Sequence, residues 1–436
     1  MPRRRTSHGL AHVLKDWGYF ALAALPGALE SLLGLGMVSK ELSATAFGEW
    51  VVLLAAVTVV GAASQLGMKT AYMQAVVDFA GLARQRQSLR AGVVFLSATG
   101  FGAGLVVAGI LGILATFGAW GSVEVLLLLP LSMGLTNAQM LLVTDLRIRR
   151  RLQWLTAMSV VQLPIFAGVL FLLRDLGVGG LLLIMGSSAI VASVRLAILW
   201  WIISPGNPLR ARWGFIGPAV TLGLPIMLGL LIKYASDATV HMSVLWFAPQ
   251  DFVGDWGRAQ RVLEPFNSLY LLALLMAWGP NAILMAGERS AVEVERLRRG
   301  ALRVLGLCAL GLPLGLVWVA LATQWLEGLV LTQGLGPWVA VAVLSRMMAF
   351  CAISVANFGM VIAREYRPMV MVYVVEWGLS IGLISTVLAL SPASDLALGF
   401  VVVMMGTIPW LAVAWCYGYL SPRLLGLHAS RTMVSS

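Results

Sequence analysis

Apolar residues in this chain run in unbroken blocks. Each block is long enough to cross a hydrocarbon layer of about 30 Å as a helix. Twelve such stretches are predicted, at roughly 17–38, 47–67, 91–116, 123–144, 154–173, 178–203, 215–235, 257–285, 301–322, 337–362, 368–390 and 396–420. The runs are continuous rather than alternating, which argues against strands, and a helix satisfies its own backbone groups in lipid. The seventh stretch leaves two readings open. It ends near 235, which places Asp237 and His241 among headgroups, or it runs on to Phe247 as a helix of about 50 Å, kinked at Pro225 or protruding.

Composition agrees with the pattern. The chain has 436 residues, 60% hydrophobic and 11% charged, with a mean hydropathy of +0.90. A soluble domain carries about 25% charged residues, so a water-soluble globule is excluded. The net charge of +11 would point to nucleic acid in a soluble protein. Here its distribution matters more, and no nucleic-acid partner is expected. Of the 30 lysines and arginines, 23 fall in the N-terminal tail or in segments following even-numbered stretches. Positive charge marks the cytoplasmic side, so both termini are expected there. The outer loops are short. The longest polar segments, about 68–90 and 286–300, are cytoplasmic, and the second reads as a short amphipathic helix at the membrane surface. The basic segment before residue 16 does not read as a secretory signal. Cys308, Cys351 and Cys416 lie in apolar runs at spacings that fit no metal site or disulfide framework. No metal and no cofactor is expected.

An internal repeat divides the chain. Ala46-Phe47-Gly48-Glu49-Trp50 resembles Phe252-Val253-Gly254-Asp255-Trp256, and each follows a stretch with an early Leu-Pro pair, Leu25-Pro26 and Leu224-Pro225. Arg151 and Arg364 occupy matching positions. Gly and Trp at membrane interfaces offer a simpler account of the individual matches. The expected organisation is a tail at 1–16, a six-helix lobe at 17–208, a second six-helix lobe at 209–420 and a tail at 421–436. With six spans in each half, the lobes would be related by a pseudo-two-fold axis along the membrane normal. Such bundles enclose a pathway that opens alternately to either side.

Charge inside a membrane is costly and tends to face a wet interior. Arg346, Arg258, Arg261, Lys233 and Arg195 are the candidate substrate-binding cations. Guanidinium groups clamp phosphate in a bidentate manner, and lysine adds a point charge. Glu30, Asp237, Glu264 and Glu376 are the candidate coupling or gating acids, because a desolvated carboxylate can take up a proton. Asn137, Gln139, Asn267 and Asn357, with Gln162, are candidate polar lining. The alternative is internal pairing, with Lys233 neutralising Asp237 and Arg261 neutralising Glu264, one turn apart on shared helix faces.

Two segments carry a family resemblance. One is Leu42-Ser43-Ala44-Thr45-Ala46-Phe47-Gly48-Glu49-Trp50, leading to Gln65-Leu66-Gly67-Met68. The other is Gly223-Leu224-Pro225 through Ser236-Asp237 to Phe252-Val253-Gly254-Asp255-Trp256-Gly257-Arg258-Ala259. Both resemble the polysaccharide-transport (O-antigen flippase, Wzx-type) branch of the multidrug/oligosaccharidyl-lipid/polysaccharide (MOP) exporter superfamily. The stretch from Leu146-Arg147 to Trp154 is also similar. The chain departs from that branch at Asp237-Ala238, where an Asp-Arg pair is common, and at Trp50 and Trp256, where Tyr is common. The resemblance implies an all-α, MOP/MATE-like pair of six-helix bundles in the bacterial inner membrane. It implies a flippase for an undecaprenyl-pyrophosphate-linked oligosaccharide in polysaccharide or lipopolysaccharide biosynthesis. A proton or sodium gradient would drive it. Its partners would be the lipid-linked substrate, membrane lipid and polysaccharide-assembly proteins.

Other readings compete. A multidrug exporter of the same superfamily would favour an acidic cavity, and a lipid II flippase would add two spans. A membrane enzyme acting on lipid-linked sugars would need a large outer loop or a carboxylate cluster, whereas Glu41, Glu49, Asp175, Glu327 and Asp395 are scattered. No phosphate-binding nucleotide loop is present. The expectation is a secondary transporter, not an enzyme. A non-transporting scaffold would tolerate substitution of Glu30 or Arg346.

Overall fold

The computed structural model describes residues 10–41, 53, 57–78, 82–116, 123–149, 151–203, 211–247, 256, 259–260, 262–285, 291–325, 336–363, 365, 367–390 and 395–424. Among them the regular structure is entirely helical. In chain order the helices are α1 (Leu10–Glu41), α2 (Met68–Asp78), α3 (Leu82–Thr116), α4 (Leu128–Ile148), α5 (Leu152–Asp175), α6 (Gly180–Ile203) and α7 (Ile216–Phe247). They continue as α8 (Ala273–Met285), α9 (Ala291–Trp325), α10 (Gly336–Ala356), α11 (Phe358–Ala363), α12 (Arg367–Leu390) and α13 (Asp395–Trp415). Among the described residues, nine helical stretches are long and apolar enough to cross a membrane.

Two boundaries differ from expectation for physical reasons, and a third, left open by the sequence, is decided. Helix α9 is continuous from Ala291, so the polar run before residue 300 is the start of a spanning helix rather than a separate surface helix. Its first turns hold strong helix formers and no breaker, and Arg299 Nε lies 2.9 Å from Glu295 Oε1 one turn earlier. Much of the predicted polar segment 68–90 is likewise helical, as α2 and the first turns of α3. Helix α7 runs through Pro225 to Phe247, the longer of the two readings. Its 32 residues span about 48 Å at 1.5 Å per residue.

The chain forms two compact units. One is Leu29–Tyr234; the other combines Met1–Ala28 with Ala235–Ser436. The boundaries fall inside α1 and α7.

In the Leu29–Tyr234 unit, α3 and α4 pack backbone to backbone. A Cβ on Gly100 would lie 2.6 Å from the Met133 carbonyl oxygen, and one on Gly104 would strike the Pro130 backbone. This Gly-x-x-x-Gly spacing is the small-residue contact that membrane helices use for close approach. A second close contact joins the two sequence segments that carry the family resemblance. The turn before α2 places Leu66 at φ 49° and Gly67 at φ 62°, in the left-handed region. The space a Gly67 side chain would need is filled by the Gly223 backbone of α7. Gly67→Ala is therefore expected to destabilise the unit by about 2–5 kcal/mol, adding left-handed strain to overpacking. Gly102→Ala, on α3 with nothing within 4 Å of its added Cβ, is the matched control and should be neutral or mildly stabilising. Melting of the two variants in detergent separates these outcomes.

In the other unit, α10 is deeply enclosed: Val339, Leu344, Ala349 and Ile353 are fully buried. It packs against α9 and α13. Ahead of α8 the helix widens into a π segment, Asn267–Leu272. A π turn displaces carbonyls from the normal ladder, and here outside donors reach two of them. Trp17 Nε1 donates to the Tyr270 carbonyl at 3.3 Å, and Cys351 Sγ to the Leu271 carbonyl at 3.3 Å. The Tyr270 hydroxyl in turn donates to the Leu307 carbonyl at 2.8 Å.

Candidate substrate site: ionisable and polar groups within the two units

Arg346 and Glu376 meet in the Ala235–Ser436 unit. Arg346 projects from the middle of α10, is 4% exposed, and has Nη1 3.3 Å from Glu376 Oε1 of α12, itself 2% exposed. Ser236 of α7 closes the group. Its hydroxyl accepts from Arg346 Nη2 at 2.9 Å and donates to Glu376 Oε2 at 3.0 Å. Ser380 donates to Glu376 Oε1 at 2.8 Å, and the guanidinium lies over the Phe350 ring, 4.8 Å from its centroid. A candidate cation and a candidate acid are thus partners in one buried network joining α7, α10 and α12.

The polar candidates clamp helices. Asn137 Nδ2 donates to Ser64 Oγ at 2.8 Å, and Gln139 Nε2 to the Ala192 carbonyl at 2.5 Å, which ties α4 to α6. Asn357 sits in the turn between α10 and α11, where its amide points to Met369 Sδ at 3.2 Å. Asn267 opens the π segment and is half-buried. Glu264 is exposed, and Lys233 is half-buried with Nζ 6.0 Å from the Tyr234 ring centroid. Arg258 and Arg261 lie outside the described residues, as do Gly48–Trp50 and Phe252–Asp255 of the repeat. Glu30 and Asp237 are placed on α1 and α7 by backbone only, their side chains lying outside the description.

A second network lies at the end of α4. Asp145 is fully buried. Its Oδ1 accepts from the Tyr72 hydroxyl at 2.8 Å and from Gln85 Nε2 at 3.2 Å, and Oδ2 lies 2.7 Å from Arg149 Nε. Burial, then the Asp145 carboxylate, pushes the Tyr72 hydroxyl well above its ordinary pKa. Around this centre gather cations. Lys69 stands one turn before Tyr72 on α2, beside Arg147 of α4. Loss of water and then the Arg147 charge bring its pKa down from 10.5 to about 7. Arg147 is brought down to about 10 by the same loss of water and by the charge of Arg195 on α6. Arg195 Nη1 donates to Gln162 Oε1 of α5 at 3.0 Å.

Of these groups the sequence pattern marks Arg195 as a candidate cation, whereas Lys69, Arg147 and Asp145 are not among the candidates. A signal was present. Asp145 is an acid just before a run of four arginines, spaced i, i+4 from Arg149, at the edge of an apolar stretch.

No protein-family model matches the sequence, and no curated protein does. Solved structures do match its shape. An outward-facing multidrug resistance MATE family transporter of the MOP superfamily superposes with a TM-score of 0.73 over 96% of each chain, at 12% identity. A MATE transporter from Vibrio cholerae gives 0.68 over 95% of this chain and 98% of the other, at 16% identity. A MOP superfamily transporter from Pyrococcus furiosus, described as having a binding pocket of reversed polarity, gives 0.62 over 96% and 99%, at 13% identity. The fold is that of the MATE-type transporters of the MOP superfamily, an all-α, multi-pass membrane architecture.

Proposed function

We propose that this chain is a secondary transporter that moves an undecaprenyl-pyrophosphate-linked oligosaccharide from the cytoplasmic to the outer leaflet of a bacterial inner membrane. It works by alternating access, for polysaccharide or O-antigen assembly, with both termini in the cytoplasm. The observation that carries the substrate class is the sign of the charge held inside the helical units. Among the described residues, the ionisable Lys, Arg, Asp and Glu groups that are buried or half-buried are Lys69, Arg90, Arg147, Arg149, Arg195, Lys233 and Arg346, against Asp16, Asp145 and Glu376. Two of the three acids already face an arginine within the same unit. A positive interior selects anions and repels the cationic drugs that an acidic interior would hold. Pyrophosphate suits it, because guanidinium groups grip phosphate oxygens in pairs. The polyprenyl tail stays in the bilayer, and Glu30 or Asp237 would link the cycle to a proton or sodium gradient. Small-molecule export is the second reading, favoured by the multidrug transporter among the structures of like fold.

Reconstitution separates the two. The protein in liposomes should exchange a fluorescent polyprenyl-pyrophosphoryl oligosaccharide between leaflets, read as protection from an impermeant quencher, without moving a cationic dye. Glu30→Gln and Lys233→Gln should each slow exchange at least about tenfold at unchanged expression. Dye transport without lipid exchange would replace this reading with drug export, and unchanged rates in both variants would remove these residues from the mechanism.

A further inference from the structure

Two thiols 43 residues apart in sequence meet inside the Ala235–Ser436 unit. Cys308 of α9 and Cys351 of α10 have their sulfurs 3.8 Å apart; both are buried and both are free. The register of the two helices brings them together. A Cβ on Gly315 of α9 would lie 2.5 Å from Leu344 Cδ2 of α10, so the helices approach closely there. Cys308 is seven residues before Gly315, and Cys351 is seven after Leu344. Seven residues make about two turns, so the contact continues in antiparallel register from the glycine to the thiols. The contacts also assign the hydrogens. The Cys351 thiol donates to the Leu271 carbonyl at 3.3 Å, so within the sulfur pair Cys308 donates and Cys351 accepts. A line of bonds thus runs from α9 through α10 to the π segment ahead of α8. Nothing in substrate binding or coupling uses this pair. No contact among the described residues joins it to Cys416, the third buried thiol, just past α13.

We propose that Cys308 and Cys351 form a redox site: a small uncharged peroxide joins them in a reversible disulfide that ties α9 to α10 and releases the π segment. The site stands whether or not the chain moves a lipid. In the first step one sulfur attacks a peroxide oxygen, the O–O bond breaks, an S–OH group forms and water leaves. In the second step the other sulfur attacks the sulfur of that group. The S–S bond forms, the S–O bond breaks, and the hydroxide departs as water with the attacking thiol's proton. Two thiols are oxidised and one peroxide is reduced, giving one disulfide and two waters. Bonding closes the sulfurs from 3.8 Å to about 2 Å. Side-chain rotation and the shifts of about 1–2 Å that packed helices make can supply this. Enclosure slows the first step at every buried thiol, but only this pair has a partner in contact, which makes the second step intramolecular and fast. The disulfide carries no hydrogen. The Leu271 carbonyl therefore loses its donor from α10, and the π segment loses one of its ties.

The test uses the purified full chain in detergent, treated with hydrogen peroxide, quenched, denatured, alkylated with N-ethylmaleimide and weighed intact. The untreated protein should take three maleimides, one for each cysteine. The treated protein should take one, at Cys416, and three again after reduction, and peptide mapping should find Cys308 joined to Cys351. Cys308→Ala and Cys351→Ala should each form no disulfide. Deuterium uptake across Asn267–Leu272 should rise at least about threefold in the oxidised protein. It should rise equally in unoxidised Cys351→Ala but not in Cys351→Ser, whose hydroxyl still donates to Leu271. Retention of all three thiols under treatment that oxidises the detergent-denatured chain overturns the site, as does loss of Cys416 at the same rate as the pair. A disulfide without the rise in uptake would keep the link between α9 and α10 and strike the release of the π segment.

Discussion

Arg346→Ala is expected to lower the stability of the Ala235–Ser436 unit by about 3–5 kcal/mol, among the largest effects of any single substitution in the chain. The cause is what remains. Among the described residues, Glu376, 2% exposed, would keep the Ser236 and Ser380 hydroxyls as partners, with no described cation paired to it. Removing one member of a buried pair strands the other, whereas replacing both with apolar groups of similar volume is close to neutral. Arg346→Met combined with Glu376→Leu should therefore recover most of the loss, since both serine hydroxyls can turn back to carbonyls in their own helices. Thermal melting in detergent should show a drop on the order of 10 °C for the single variant and a much smaller one for the double. Equal drops would mean that the contribution is packing against Phe350 rather than charge.

The double variant also bears on transport. Arg346 and Glu376 are expected from sequence to act separately, one as a substrate cation and one as a coupling acid, yet they are bound to each other across three helices. A folded double variant with normal leaflet exchange would make the pair a positioning element. A folded double variant without exchange would return both residues to the transport cycle.

The spans were legible because hydrophobic blocks of helical length are a strong signal, and helix α7 shows its limit. Whether it stops near 235 or runs to Phe247 depends on what surrounds its second half, which hydropathy does not encode. The site was less legible, because partnership is a tertiary property. Lys233 and Asp237 are natural partners on one helix by spacing, but nothing in the spacing joins Arg346 to Glu376, 30 residues away, or to Ser236, at a separation of 110. Gly67 and Gly223 make the same point. Each lies within a segment of family resemblance, and only the fold shows that the two backbones touch. Local patterns recover elements, whereas contacts between distant residues decide which charges are used within the protein and which remain for a ligand.

Asp145→Asn should have the second large effect, and its size distinguishes a charge requirement from a hydrogen-bond requirement. The carboxylate accepts from Tyr72 and Gln85 and faces Arg149, with no exposed surface of its own. An asparagine keeps the shape but turns an NH2 toward one of these donors and removes the only described negative charge beside Arg149. With Lys69 and Arg147 also near the end of α4, the described residues there would hold cations and no carboxylate. The expected loss is about 3–5 kcal/mol, visible as a melting temperature lower by on the order of 10 °C. A drop no larger than that of Tyr72→Phe, which removes one hydrogen bond and no charge, would reduce the requirement at Asp145 to hydrogen bonding.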